Sequence, residues 1–167
     1  MPQYDWSKFS QKIYINAPAQ KVYDTWTTRA NLENWFLRKA EFTMADGSVR
    51  ESNSPIQKGD TYSWTWHGHP DTTAEHGVVT EANGKDRFQF VFGKAGVVTV
   101  SLKQMDNAVT EMILTQDQIP TDEESKHNYH VGCSTGWTFY LANIKSILEG
   151  GLDLRNKNLA YTNVINS

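Results

Sequence analysis

The sequence predicts an α+β fold in which one antiparallel sheet lies against a long C-terminal helix. Three observations lead there. Between Thr61 and Gln116 apolar residues recur with period two, in runs separated by short turns, the pattern of hairpin-connected strands. From Val131 to Leu148 the spacing lengthens to three and four, the stripe of a helix with one apolar face. The chain has 167 residues, 38% hydrophobic and 21% charged, which suits one domain with its own core and needs no disulfide or metal staple. Residues 1–167 are therefore expected to form a single domain.

The first strand is read over Trp6–Asn16, where Phe9, Gln11, Ile13 and Ile15 share one side and Lys8, Lys12 and Tyr14 the other. Asn16-Ala17-Pro18 then has the form of a helix start, a capping side chain followed by proline in the first turn. Ala19, Val22, Tyr23 and Trp26 follow at helical spacing, and a second short helix over Ala30–Phe36 places Leu32, Trp35 and Phe36 on one face. Asp46-Gly47 is expected to turn a hairpin between Ala40–Met44 and Ser48–Ser52. Further strands are expected over Thr61–His67, Glu75–Ala82, Arg87–Phe92, Val97–Gln104 and Val109–Gln116, with turns at Asn83-Gly84, Gly93–Gly96 and Asp106-Asn107.

Such a meander has one dry face, carrying Phe88, Phe90, Phe92, Val98, Val100, Leu102, Met112 and Leu114, and one wet face with Gln89, Thr99, Ser101, Lys103, Glu111 and Thr115. Pro120-Thr121-Asp122-Glu123-Glu124 opens one long helix running to Glu149, with Trp137, Tyr140, Leu141 and Ile144 in its stripe. Gly150-Gly151 closes it with a left-handed cap.

Composition narrows the function classes. The net charge of −3, with no basic run, argues against a nucleic-acid or anionic-membrane binder. No stretch approaches the ~18 apolar residues that span a bilayer, and Met1-Pro2-Gln3-Tyr4-Asp5-Trp6 lacks the basic start and apolar run of a signal peptide. Cys133 stands alone, so nothing points to an oxidising compartment. A cytoplasmic protein is expected.

Catalytic patterns are thin. Gly132-Cys133-Ser134-Thr135-Gly136 spells the Gly-x-Ser-x-Gly nucleophile elbow, but an elbow needs a strand before the serine and a histidine later in the chain, and none follows His130. The two glycines are read instead as letting the helix pass close to the sheet. His67-Gly68-His69 and His127-x-x-His130 could each give two ligands to a metal ion, with His76 as a further histidine, but no third ligand is identifiable. Exposed loop and helix-end histidines are the plainer reading. Cys133 is either a reactive thiol or a small core residue. No phosphate cradle, cofactor motif or catalytic set is expected, and an enzyme is less expected than a binder.

The aromatic content stands apart, with six Trp, seven Tyr and seven Phe. Tyr62, Trp64, Trp66, Phe88, Phe90 and Phe92 face the side covered by the last helix, which offers Trp137 and Tyr140, while Trp26, Trp35 and Phe36 close one end. These rings either pack as a solid core or leave a gap for an apolar guest.

At this point the chain resembles a known family. Ala17 to Thr27, followed by Leu32…Trp35-Phe36, resembles the opening of START-like (SRPBCC) domains. Gly136 to Arg155, with Trp137, Tyr140, Leu141, Ile144 and Gly150-Gly151, is similar to the subgroup named for the activator of the heat-shock protein 90 ATPase. The resemblance implies a helix-grip (Bet v 1-like) fold, a curved sheet gripping the C-terminal helix with a cavity between them. It implies a small hydrophobic or lipid-like ligand held there by the residues named above, Met112, Leu114, Leu141 and Ile144 included. The alternatives are a cavity enzyme of aromatase/cyclase type and a module for a chaperone or another partner. The eukaryotic co-chaperone carries a separate N-terminal domain for which 167 residues leave no room, so chaperone activation is not expected from the name. Relatives often carry histidine near the end of the strand that here finishes at Gln116.

Overall fold

The period-two segments fold as seven strands of one sheet. A computed structural model describes residues 3–167; Met1 and Pro2, part of the start read above as lacking a leader, lie outside the described residues. The strands are β1 (Phe9–Ile15), β2 (Lys39–Thr43), β3 (Thr61–Thr65), β4 (Glu75–Ala82), β5 (Arg87–Val91), β6 (Val97–Gln104) and β7 (Thr110–Asp117). They lie in the order β1-β7-β6-β5-β4-β3-β2, every pair antiparallel. The sequence of short turns from β3 to β7 dictates this meander, and β1 joins β7 with Phe9 opposite Gln116 and Ile15 opposite Thr110. With the helices described below this is the expected helix-grip fold. Among the described residues no helix is long and apolar enough to cross a membrane.

Two helices, α1 (Ala19–Trp26) and α2 (Arg29–Trp35), follow β1. Asn16 does not cap α1, contrary to expectation. Pro18 holds the cap position without a side-chain bond, and the free N–H of Ala19 is met at 2.8 Å by Gln104 Oε1 from the end of β6. Asn16 instead donates its backbone N–H to Glu149 Oε1. The expected Ala40–Met44/Ser48–Ser52 hairpin is also corrected. Gly47 turns the chain at φ +84°, but pairing stops at a single bridge between Thr43 and Val49, and the partner of β2 is β3. Past the bridge, Arg50 swings its guanidinium onto the buried Asp60 carboxylate, two bonds of 2.5 and 2.8 Å.

The long helix is not uniform. It opens as α3 (Glu123–Ser125), capped by Asp122, widens into a π-helical turn over Lys126–Val131, and continues as α4 (Gly132–Leu148). Its end is as expected: Gly150 sits at φ +84°, its N–H reaches Ile147 O, and Gly151 N–H reaches Ser146 O, the paired bonds of a Schellman cap. Beyond it a strap ties the helix to α2. Asn143, fully buried on α4, donates to Trp35 O and accepts from Leu154 N–H, both at 2.7 Å. The Arg155 side chain, 1% exposed, caps the end of α2 through Leu37 O at 3.0 Å and Glu33 O at 3.1 Å while gripping Asp153. A cation there complements the negative end of a helix.

Candidate functional site

The core between sheet and helices divides into a closed part and an open one. In the closed part Trp26, Trp35, Phe88, Phe90, Met112, Leu114 and Ile144 are all at 0% exposure. Trp26 and Trp35 meet edge to face at 4.7 Å, a favoured aromatic geometry. Their indoles are matched: Trp26 Nε1 donates to Met112 Sδ at 3.2 Å and Trp35 Nε1 to Thr25 O at 3.0 Å. Leu141 on α4 is 4% exposed and belongs to the same core. Rings and aliphatics thus fill the space expected as a wide cavity.

The open part lies where α4 begins and β3 and β5 end. A cleft of about 160 Å3 is bounded by Phe36, Trp66, Phe92, Asn128, Gly132, Cys133, Gly136, Trp137 and Tyr140. Of the fifteen residues expected to face a ligand, the structure brings Phe36, Trp66, Phe92, Trp137 and Tyr140 to this opening. Trp64 lies one layer deeper, its ring 5.6 Å from Phe36 and 6.3 Å from Phe92, and it stacks on Tyr62 at 3.8 Å. Tyr62 in turn donates to Val91 O at 2.6 Å, passing so close to Gly77 that a Cβ there would lie 2.4 Å from its hydroxyl oxygen. Only glycine fits at that crossing.

Asn128, Gly132, Cys133 and Gly136 were not anticipated at the site, although Asn128, Gly132, Gly136 and Tyr140 are spaced by fours, the interval that lines one helix face. Nor do the glycines draw α4 against the sheet. A Cβ on Gly136 would meet nothing within 4 Å, and one on Gly132 only His127 O at 3.6 Å. They leave the helix bare, and the cleft occupies what side chains would have filled. The elbow spelling falls on the same turn, entered from the π-helical segment rather than from a strand.

Polar groups around the cleft are firmly placed. Trp137 Nε1 donates to Gln116 Oε1 at 2.9 Å, and Gln116, fully buried, passes its own amide hydrogen to Ala95 O at 2.8 Å. Gln116 is therefore used up in holding the cleft wall. Tyr140 donates its hydroxyl to Ser167 O at 2.6 Å. Burial pushes the Tyr140 hydroxyl up to about 12 and raises the Cys133 thiol, against a lowering hydrogen bond from Gln116. Both groups are neutral at pH 7. The Arg155 bonds to the Glu33 and Leu37 carbonyls fall on either side of Phe36 in the chain.

His69, His76 and His127 are exposed, as the sequence reading expects, and His67 and His130 are not. His130, expected to be exposed, is buried. Its Nδ1 lies 3.0 Å from Trp6 O and its Nε2 2.9 Å from the Tyr4 hydroxyl, pinning the N-terminal segment to the π-helical turn. His127 is exposed, so the two do not share a site. His67 is partly buried, and burial, then Arg155, lower its pKa. Among the described residues no three His, Cys, Asp or Glu side chains gather as a metal ion would require.

A family model described as "Activator of Hsp90 ATPase homolog 1-like protein" matches residues 16–149, from the end of β1 to the end of α4. The chain belongs to this family. No curated protein gives a significant sequence match. Among solved structures, the Aha1 dimer from Colwellia psychrerythraea is 18% identical, with a TM-score of 0.64 over 86% of this chain and 97% of that one. An HSP90 activator from Plasmodium falciparum is 19% identical, TM-score 0.61, over 86% and 96%. DynU16, a putative protein in the dynemicin biosynthetic locus, is 14% identical, TM-score 0.68, over 90% of this chain and 50% of its own. At these identities the likeness is one of fold. An Hsp90 activator homologue-like domain with this frame is a ligand-binding or partner-binding module.

Proposed function

We propose that this protein binds a small apolar molecule through its aromatic cleft, without catalysis. The observation that carries the proposal is the opening itself: five aromatic side chains converge on about 160 Å3 of unfilled space beside two glycines whose missing side chains create it. An apolar cavity of ~150 Å3 holds a benzene ring, whereas drug-sized molecules occupy roughly 300–1,000 Å3. The fitting guest therefore inserts one ring or an equivalent apolar head and leaves any remainder, such as a lipid-like tail, outside. The lining groups that titrate, Cys133 and Tyr140, are both held neutral, which supports binding over acid–base chemistry.

The test is a toluene titration followed by the indole N–H resonances in a 1H–15N spectrum. Saturable shifts of Trp66 and Trp137, with at least about a tenfold loss of affinity in Trp66→Ala for a well-packed aromatic contact, support the cleft. Shifts that never saturate, or an unaffected Trp66→Ala, refute it.

A partner-binding role is the second reading, and the exposed apolar side chains Leu159, Tyr161 and Ile165 after the strap favour it. The similarity to an Hsp90 activator raises a chaperone as the candidate partner. Loss of complex formation on replacing those three residues with serine, in a variant that still takes up toluene, would separate this role from the cleft.

A further inference from the structure

Four tryptophans are buried in the core, Trp26, Trp35 and Trp64 completely and Trp137 to 3% exposure. Three give their indole hydrogen to an acceptor, a thioether, a backbone carbonyl and a glutamine amide. Trp64 does not: among the described residues its Nε1 is buried with no partner. Thr65 Oγ1 and Asp117 Oδ1 are the other buried side-chain atoms without a partner among the described residues, whereas Gln116 and Asn143 use both ends of their amides and Thr110 gives its hydroxyl hydrogen to Ala17 O. A buried donor without an acceptor carries the full cost of its lost hydration. The ring that carries it packs against Phe36 and Phe92, two walls of the cleft.

We infer that the cleft's guest is an aromatic molecule bearing a hydrogen-bond acceptor, a carbonyl or ether oxygen, which enters between Phe36 and Phe92 and is bound by the indole N–H of Trp64. The inference rests on the cleft being a binding site and adds the polar half of its specificity. The aromatic walls accept any flat ring, so discrimination comes from the indole N–H of Trp64, a donor without a partner whose ring packs against two of those walls. A cation is disfavoured, since an N–H repels positive charge and no carboxylate lines the opening.

Acetophenone and α-methylstyrene share a shape and differ in C=O against C=CH2, so they isolate the acceptor. Titrated into the full chain, acetophenone is expected to bind about threefold to tenfold more tightly, the range of one hydrogen bond. It is also expected to move the Trp64 indole proton downfield, with α-methylstyrene leaving that resonance in place. Trp64→Phe assigns the resonance and is expected to equalise the two affinities; if that variant does not fold, the wild-type affinity ratio and shift decide. Equal affinities with an unmoved Trp64 signal would overturn the acceptor while leaving the cleft intact. Failure of both probes to bind would overturn the cleft and the acceptor together. Tighter binding of phenyltrimethylammonium than of either would replace the acceptor with a cation.

Discussion

Around α1 and α2 the indole N–H groups of Trp26 and Trp35 have their acceptors and the rings are sealed in, whereas toward the start of α4 the rings line an open cleft, and the indole N–H of Trp64 behind them has no acceptor. Both regions are built from the same residue types on the same sheet. What separates them is the facing helix. At Leu141 and Ile144, α4 presents side chains that fill the core, while at Gly132 and Gly136 it presents none. Aromatic content alone therefore does not make a cleft here; a local lack of helical side chains beside it does.

The largest effect that would test this contrast is in the closed part. Trp35→Ala is expected to cost about 3–5 kcal/mol of stability, read as a shift in the denaturant midpoint with unchanged slope. A cost no larger than that of Trp66→Ala would abolish the distinction. Trp137 sits at the boundary. Trp137→Phe keeps an aromatic wall but strands Gln116 Oε1 in the core, so about 1–3 kcal/mol of stability should be lost, and Gln116→Leu in the same background should recover much of it. Gly136→Ala sharpens the comparison from the open side. Exchanging a helical glycine for alanine where a Cβ meets nothing should raise stability by about 1 kcal/mol, while narrowing the cleft and weakening toluene binding. Gain of stability with loss of binding is the signature of space kept open.

The smallest effect concerns the strap. Burial opposes ionisation of Asp153, but hydrogen bonds from Arg155 and Lys157 outweigh it and hold its pKa well below the ordinary carboxylate range. A lowered folded-state pKa adds stability that is present above the unfolded value of about 3.9 and lost as pH falls toward the folded one. Acid titration of the thermal midpoint should thus fall less steeply below about pH 4 in Asp153→Asn than in the wild type. Parallel curves would remove Asp153 from the account.

Much of the frame was legible because its causes are local. Alternation placed β3 to β7 and their dry face, and the paired glycines after Glu149 announced the helix end. The failures share a cause at long range. Asn16 looked like a cap because nothing nearby shows that Gln104, eighty-five positions after Ala19, supplies the acceptor. Ser48–Ser52 looked like a strand because the pull of Asp60 on Arg50 is invisible in a local pattern. For the site, alternation found the rings but not which were sealed. That depended on Gly132 and Gly136, whose spelling fitted a close helix–sheet contact equally well, and on a π-helical turn that has no compositional mark.

The strap has a consequence in the order of synthesis. Arg155 closes carbonyls 118 and 122 residues earlier in the chain, and β1 waits for β7. A ribosome making this protein thus releases Trp26 and Trp35 long before the strand, helix and guanidinium that bury them exist. Contacts between distant segments form slowly and leave apolar surface exposed in the meantime. A segment made after all seven strands is what locks the much earlier α2, so a nascent chain stalled before Arg155 should remain sticky even with every one of those strands already translated.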